Sequence, residues 1–523
     1  MADEQATSAA EQYVNSLRAL CERSKTCYLH CGEHYKALAR FLEKQSPLNT
    51  QIGYRIVFHH VIIHTHYVNG DTPRFDRFDG TQDPDTSMSH VPATEANMAQ
   101  FVFLRGFVGA KWLATLGTHY RIDPEFLRRH LDFLQPTSFN DLPPLPTTWR
   151  TAGRLRLTTV CVRETPLTSS EVQARRLDEL QRTKRFQQQL GSTGTYGATI
   201  IRTYSVLSEL HVALGQDISF HVKKKKSGGW TVIVWSDCGR PLHQLQGAPW
   251  CTKGPTNLDC RPIIQHVNKL ALNTVEAIIA TADPIDDRHS FGFQNASHLP
   301  NVYGSSLDAR IMKLDALYGL SELFALSAAS ENQFVNTMQQ LISETAQLSF
   351  DQEQRAQESL RYFKTVLDAR ILRIREMLAF LQLRGGPNWP QATDPADQAV
   401  VEAQMMDLCG NLEHLLERAS GLTASCLEGI TTIVNISALN ESKTARQQAQ
   451  NLNRLSILAF FFLPLSFTTS AFGMNVRELG VEDGAHLRTM IGVTIIFLVV
   501  SIGLCFWHTL SLCVIRTKRT FTN

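Results

Sequence analysis

Cys27, His30, Cys31 and His34 recur at i, i+3, i+4 and i+7, which places four metal-capable side chains on one face of a helix. The same spacing makes an ordinary semi-polar packing stripe. No strand-borne cysteine pair completes a zinc module, so we read the set as packing. His64 and His66 share a face of RIVFHHVIIHTHYV, Arg55–Val68, whose β-branched residues predict a strand. A His-X-His pair on a strand could open a hydrolytic metal site, but such sites need further His ligands and an Asp after later strands. No convincing set is present. Lys223–Lys226 end the first arm of ISFHVKKKK, Ser227-Gly228-Gly229, WTVIVW, the clearest hairpin of the chain. Four lysines at a tip could hold anionic lipid or nucleic acid. A solvated edge that blocks aggregation is the reading adopted.

These residues sit in a chain of 523 residues with 51 Lys+Arg against 49 Asp+Glu, a formal net charge of +2. That balance argues against a protein that coats nucleic acid. Length predicts about two to four domains. The hydrophobic share of 43% supplies a sizeable core, and the low charged share of 19% traces to the C-terminus. The 11 cysteines are odd in number, scattered and without a Cys-X-X-Cys pair, which predicts reduced thiols facing the cytosol rather than a disulfide framework. The acidic, polar opening Met1-Ala2-Asp3-Glu4-Gln5 has neither a basic nor an apolar leader region, so no signal peptide is expected.

Two charge-free stretches close the chain. Leu455–Phe472 reads LSILAFFFLPLSFTTSAF, about 18 residues, and Met490–Leu512 is about 23 residues without Asp, Glu, Lys or Arg. A pair of such runs in tandem predicts a two-helix transmembrane hairpin. Lys443, Arg446 and Arg454 precede the first run, and Arg516, Lys518 and Arg519 follow the second. The positive-inside rule then puts both termini in the cytosol, with Trp507 as an interfacial anchor. Asn295, Asn435 and Asn440 each begin an Asn-X-Ser sequon on the predicted cytosolic side and are expected to stay unglycosylated.

Upstream, the first 45 or so residues read as helical, Gln135–Gly153 as a Pro-rich connector, and Thr158–Val162 and Thr199–Leu207 as strands. After Thr256 the pattern predicts helices over Leu258–Ile279, Leu307–Leu348 and Glu353–Leu383, broken at GGPNWPQ, Gly385–Gln391. From Ala396 one helix is expected through Phe472, with a seam at Leu408, Leu412, Leu415, Ala419, Leu422, Cys426, Ile430 and Ile433. Gly410, Gly421 and Gly429 interrupt it at about 1 kcal/mol each. The expected layout is an α/β cytosolic domain (1–255), a helical region (256–395), a stalk helix (396–454), a first span (455–475), an outer loop (476–489), a second span (490–512) and a basic tail (513–523).

The first apolar run ends in Gly473-Met474-Asn475. Leu455 to Asn475, with Pro464 in mid-helix and the terminal Gly-Met-Asn, resembles the CorA family of divalent-cation channels without a gap. Tyr303–Phe334 looks like the fungal CorA-like branch. The resemblance implies a homopentamer of membrane subunits that moves Mg²⁺ through a pore with a Gly473-Met474-Asn475 filter. No bound cofactor and no catalysis are implied. Leu455 and Leu463 match positions of hydrophobic gating rings, Ser466 a hydroxyl position facing hydrated ions, and Pro464 the helix kink. Glu478, Glu482 and Asp483 are the outer-loop acids that would attract cations. The filter chemistry is coherent. Mg²⁺ gives up its waters reluctantly, so neutral oxygens suit it: the Asn475 amide and a backbone carbonyl that Gly473 can expose.

The chain also departs from the family pattern. Phe472 replaces a common Tyr, the family's inner Asn ring falls on Ala449 with Asn451 nearby, and the outer loop lacks Met-Pro-Glu-Leu. The leading expectation is a Mg²⁺ channel, in the plasma membrane or else an organellar one. Zn²⁺, Co²⁺ or Ni²⁺ transport, a membrane-anchored sensor that no longer transports, and a tethered metallohydrolase on His64 and His66 stand as alternatives.

Overall fold

In the computed structural model, the described residues are 8–23, 32–44, 58–67, 72–95, 98–134, 145, 152–193, 195–226, 228–242, 248–250, 260–265, 294–347, 353–386, 388–472 and 487–520. They fall into two compact units, Met1–Gly429 and Ile430–Asn523.

The first unit is built on one eight-stranded mixed sheet. Its strands are β1 (His59–Tyr67), β2 (Arg74–Asp79), β3 (Met98–Arg105), β4 (Ala152–Arg163), β5 (Thr203–Val206), β6 (His211–Lys224), β7 (Trp230–Ser236) and β8 (Cys260–Pro262). Their order is β2-β1-β3-β7-β6-β4-β8, with β5 on β6. The β3–β7 pair is parallel and the rest are antiparallel. The central strands read as unbroken apolar runs because both faces are covered. Val61, Ile63, Val102, Leu104, Ile233 and Trp235 point into one core. Their neighbours Ile62, Phe101, Phe103, Val232 and Val234 point into the other.

The first core is closed by α1 (Ala9–Arg23), α2 (Lys36–Glu43), α3 (Pro84–Ser89), α4 (Ala110–Tyr120), α5 (Pro124–His130) and α6 (Ser169–Thr193). The short helices α3 and α5 start on Asp-Pro: Asp83 and Asp123 accept from the Thr86 and Glu125 N–H groups, and proline supplies a first-turn residue with no N–H to satisfy. The second core is closed by α7 (Leu299–Val302), α8 (Ala309–Leu314), α9 (Ala316–Gly319), α10 (Ser321–Ala346), α11 (Glu353–Gln382) and the first part of α12 (Pro395–Phe472).

The sheet edges are protected differently. β2 reads RFDRFD, a charged edge. At the other side β8 pairs only Cys161–Arg163 of β4, and α10 covers the stretch of β4 before them: Ser330 Oγ accepts from the Thr158 N–H at 3.2 Å, and Ser327 Oγ donates to the Arg156 carbonyl at 2.7 Å.

Strands β1, β4, β6 and β7, helices α1, α2 and α11, and the single helix through Phe472 agree with the expectations above. Four readings are corrected. The predicted helix from Leu258 begins instead as strand β8, because Arg163, Val162 and Cys161 of β4 recruit Cys260–Pro262 as an antiparallel partner; 266–293 lie outside the described residues. Thr199–Leu207 is strand only over Thr203–Val206, since Thr199–Ile201 are buried in a loop whose Thr199 hydroxyl bonds Arg240. Leu307–Leu348 is three helices, because Asp308 and Asp315 each cap a new start. Of the Pro-rich connector, Ala152 and Gly153 already belong to β4. At the predicted break, Arg384 and Gly385 are left-handed with φ of 51° and 76°, and a Cβ on Gly385 would strike the Trp389 ring.

Candidate functional site

The candidate residues are positioned by α12, which packing holds along its first part. Leu408, Leu412, Leu415, Ala419 and Cys426 are buried, and the first three belong to the second core beneath α10 and α11. The predicted seam is therefore a packing seam within one chain. Gly429 has a reason in this packing: a Cβ there would come within 2.9 Å of Leu360 Cδ1, whereas Gly410 and Gly421 face open space. Arg418 locks the helix from the side, donating to Asn332 Oδ1 (3.0 Å), Asn336 Oδ1 (2.7 Å) and Gln339 Oε1 (2.8 Å) along one face of α10. This contact spans 79 to 86 residues of chain and was not anticipated. Its one signal was an amide at i, i+4 and i+7 of a helix.

Beyond Gly429 the same helix changes character. Asn440–Arg454 is polar and almost entirely exposed. Leu455, Ile457, Leu458, Phe460, Phe461, Phe462, Leu463, Leu465 and Phe467 are all exposed, on every side of the helix. This is the helix of the described residues long and apolar enough to cross a membrane. The shorter apolar segment Ile491–Gly503 lies in α13 (Leu487–Thr520), a helix longer than the predicted Met490–Leu512. The two helices touch at Phe467 and Phe497, whose ring centroids are 6.4 Å apart.

Leu455 and Leu463 are 64% and 69% exposed, so neither is packed away among the described residues. At about 100° per residue, Leu455 and Ser466 fall within about 20° of one line, and Leu463 lies about 80° from Leu455. The helix thus aligns Leu455 with Ser466 and sets Leu463 on the flank. Pro464 lies inside the helix and has no N–H, which frees the Phe460 carbonyl. Thr468 and Thr469 donate to the Leu465 carbonyl at 3.0 and 2.8 Å. Gly473, Met474, Asn475, Glu478, Glu482 and Asp483 lie outside the described residues.

Among the described residues no group of three or more His, Cys, Asp or Glu side chains could hold a metal ion. Cys27, His30 and Cys31 lie outside the described residues. His64 and His66 share a face of β1 with rings 6.3 Å apart, as the alternation predicts. Their neighbours are Phe75 and Phe103 for His64 and Phe101 for His66, an apolar setting without a carboxylate ligand. Burial pushes the two imidazoles down to about 3 and about 4, so both are neutral.

The densest buried charge is elsewhere and was not anticipated. Arg202 donates to both Asp237 oxygens at 2.7 and 2.8 Å, to Asp132 at 2.7 Å and to the His130 carbonyl at 2.7 Å. Arg154 and Arg156 pair with Asp217 at 3.2 and 2.9 Å. His130 stacks on Trp235 at 3.9 Å, and its Nε2 is 3.1 Å from Asp237. Burial alone would raise the Asp237 carboxyl, but Arg202 and His130 together hold it below the ordinary carboxylate range. Burial pushes His130 down to about 4 against the pull of Asp237. The charges are mutually matched. The network ties β4, β6 and β7 to the end of α5 and is structural.

Residues 323–508 match the family model described as CorA-like Mg2+ transporter protein. The match begins in α10, takes in the whole of α11 and α12, and ends in α13. No curated protein matches the chain. Residues 323–508 are thus similar to a CorA-like domain, a stretch that includes one long membrane-capable helix followed by a shorter apolar one.

Proposed function

We propose that the chain is a membrane channel or transporter for divalent cations, with Mg²⁺ as its first cargo, and that it works as a ring of identical subunits. The observation that carries this reading is the CorA-like match over residues 323–508, which contains the charge-free run Leu455–Phe472 and the Gly473-Met474-Asn475 that follows it. Two apolar helices cannot enclose a pore alone. The all-round exposure of Leu455–Phe467 supports a helix that meets lipid on one side and neighbouring copies on another.

In this reading Asn475 contributes one amide oxygen per subunit to a ring around a hydrated ion, and Gly473 frees a backbone carbonyl beside it. Glu478, Glu482 and Asp483 raise the local cation concentration at the outer mouth. Leu455 forms a hydrophobic constriction one face-line below Ser466, whose hydroxyl meets the hydrated ion. Leu463 forms a second ring only where the kink at Pro464 turns it inward. Inward movement draws about 4.6 kcal/mol per divalent ion from an inside-negative potential of 100 mV. Weak contacts at several levels suit conduction, because an ion held tightly would not leave.

The test is Mg²⁺ uptake into vesicles holding the full-length protein. Wild type should carry flux, and Asn475→Ala should abolish it with oligomer size and reconstitution level unchanged. Wild-type flux in the variant would remove the filter assignment. Absence of flux for every divalent cation in the wild type would favour the non-transporting sensor.

A further inference from the structure

Between its packed half and its apolar run, α12 sorts charge by side. Residues 430–472 contain one acid, Glu441, and three bases, Lys443, Arg446 and Arg454. All four are exposed, and none has an ion pair among the described residues.

At about 100° per residue, the line through Leu455 carries Thr444, Gln448 and Ser466 within about 20°, with Glu441 and Asn451 about 40° off it. The bases lie elsewhere. Arg454, Lys443 and Arg446 fall about 100°, 120° and 180° from that line, in one sector about 80° wide. Glu441 is at least about 140° from each of them, and it is not three or four residues from any, so it cannot pair along the helix. The sector therefore holds positive charge without an acid of its own element.

The sorting fits two surroundings. Hydroxyls, amides and a carboxylate suit a hydrated cation, whereas a base on that line would repel it. The basic sector instead runs on, along the same side of the helix, into Ile457 and Phe461, both exposed apolar side chains of the membrane-capable run. It thus meets the side of the helix that continues into hydrocarbon.

Depth narrows the ligand. At about 1.5 Å per residue, Arg454 lies level with Leu455, where the apolar run begins, Arg446 about 14 Å before it and Lys443 about 18 Å before it. A headgroup layer is about 5–8 Å deep, from a bilayer of about 40–45 Å around a hydrocarbon core of about 30 Å. Arg454 is within that layer. Arg446 and Lys443 are beyond it, where an ordinary headgroup ends and one with further phosphates on its outer side continues.

We propose that Lys443, Arg446 and Arg454 bind a polyphosphorylated inositol lipid of the adjoining leaflet, Arg454 at the phosphodiester and the other two at the outer phosphates. The site depends on α12 entering a membrane, as in the transport reading, and does not depend on flux.

The test is fluorescence anisotropy of a labelled short-chain phosphatidylinositol bisphosphate, titrated with full-length, detergent-solubilised protein in EDTA. Wild type should bind. Lys443→Gln/Arg446→Gln/Arg454→Gln should weaken binding at least about tenfold with oligomer size unchanged, while Lys443→Arg stays near wild type. Glu441→Gln changes net charge by one on the other side of the helix and should leave affinity unchanged. A gain there as large as the loss in Arg446→Gln would mean diffuse attraction and overturn the site. Short-chain phosphatidylserine should bind more weakly, and equal binding overturns the headgroup assignment. Inositol trisphosphate binding as tightly as the lipid would move the site to a soluble ligand, and displacement of the lipid by a poly-glutamate peptide would move it to an acidic protein segment. Unchanged affinity in the triple variant overturns the proposal; if that variant does not assemble, Arg446→Gln carries the same test. A wild type that resists alkaline extraction from vesicles yet binds no lipid overturns this site alone, whereas a chain that alkali extracts overturns the membrane position beneath it.

Discussion

Helix α12 carries leucine through both of its halves and buries it in opposite ways. Leu408, Leu412 and Leu415 lie on one stripe and are 1–3% exposed against α10 and α11. Leu455, Leu458, Leu463 and Leu465 are spread around the helix and are all exposed. The difference lies in the circumference. A stripe flanked by Glu413, Glu417 and Arg418 can be buried on one side with the rest in water. A helix apolar on every side has no polar face to offer water, and its own chain covers little of it. Leucine content alone does not separate the halves. Periodicity does.

The largest expected effect comes from placing the same charge in each half. Leu412→Asp puts a carboxylate in the second core without a partner, a cost of several kcal/mol, and should leave no folded α/β unit in a thermal melt. Leu463→Asp should leave that unit's melt unchanged and raise closed-state ion leak in vesicles. A normal melt for Leu412→Asp would erase the distinction between the halves. An unfolded Leu463→Asp would do the same from the other side.

Acid gives a smaller, graded effect on the sheet unit. Burial lowers His60 to about 3, His64 to about 3 and His66 to about 4, and neither ring nitrogen of His60 has a hydrogen-bond partner among the described residues. The unfolded chain binds these protons near pH 6.5 and the folded chain does not. Stability is therefore complete above about pH 6.5 and falls as pH drops toward the folded values. The melting temperature should drop between pH 6.5 and 4, and His60→Phe should shallow the slope. An unchanged slope would mean that His60 is hydrated in solution.

The smallest effect separates two glycines on α12. Gly421→Ala should stabilise by about 1 kcal/mol, because the helix gains propensity and the added Cβ meets nothing. Gly429→Ala should gain less, because buried Leu360 must move aside. Equal gains in denaturant melts would show that the approach to Leu360 is not tight.

The uninterrupted helix from Pro395 to Phe472 was legible because local signals agree: a heptad-like stripe, then polar residues, then an apolar run, with no turn chemistry between them. Strand β1 and the β6–β7 hairpin were legible through β-branched runs and Ser-Gly-Gly. Helices α8 to α10 were read as one run because their breaks depend on single capping aspartates, Asp308 and Asp315. Strand β8, three residues long, exists only because β4 offers it hydrogen bonds.

Sequence by itself determined the periodic elements, the apolar C-terminal runs and the Gly473-Met474-Asn475 motif, since all of these are local in the chain. Only the tertiary structure decided which charges meet. Arg202 finds Asp132 and Asp237 from 70 and 35 residues away, Arg418 finds α10 from about 80, and Lys223 finds Arg121 from 102. Long-range pairing of this kind leaves no spacing signal, because the sheet order rather than the chain order brings the partners together.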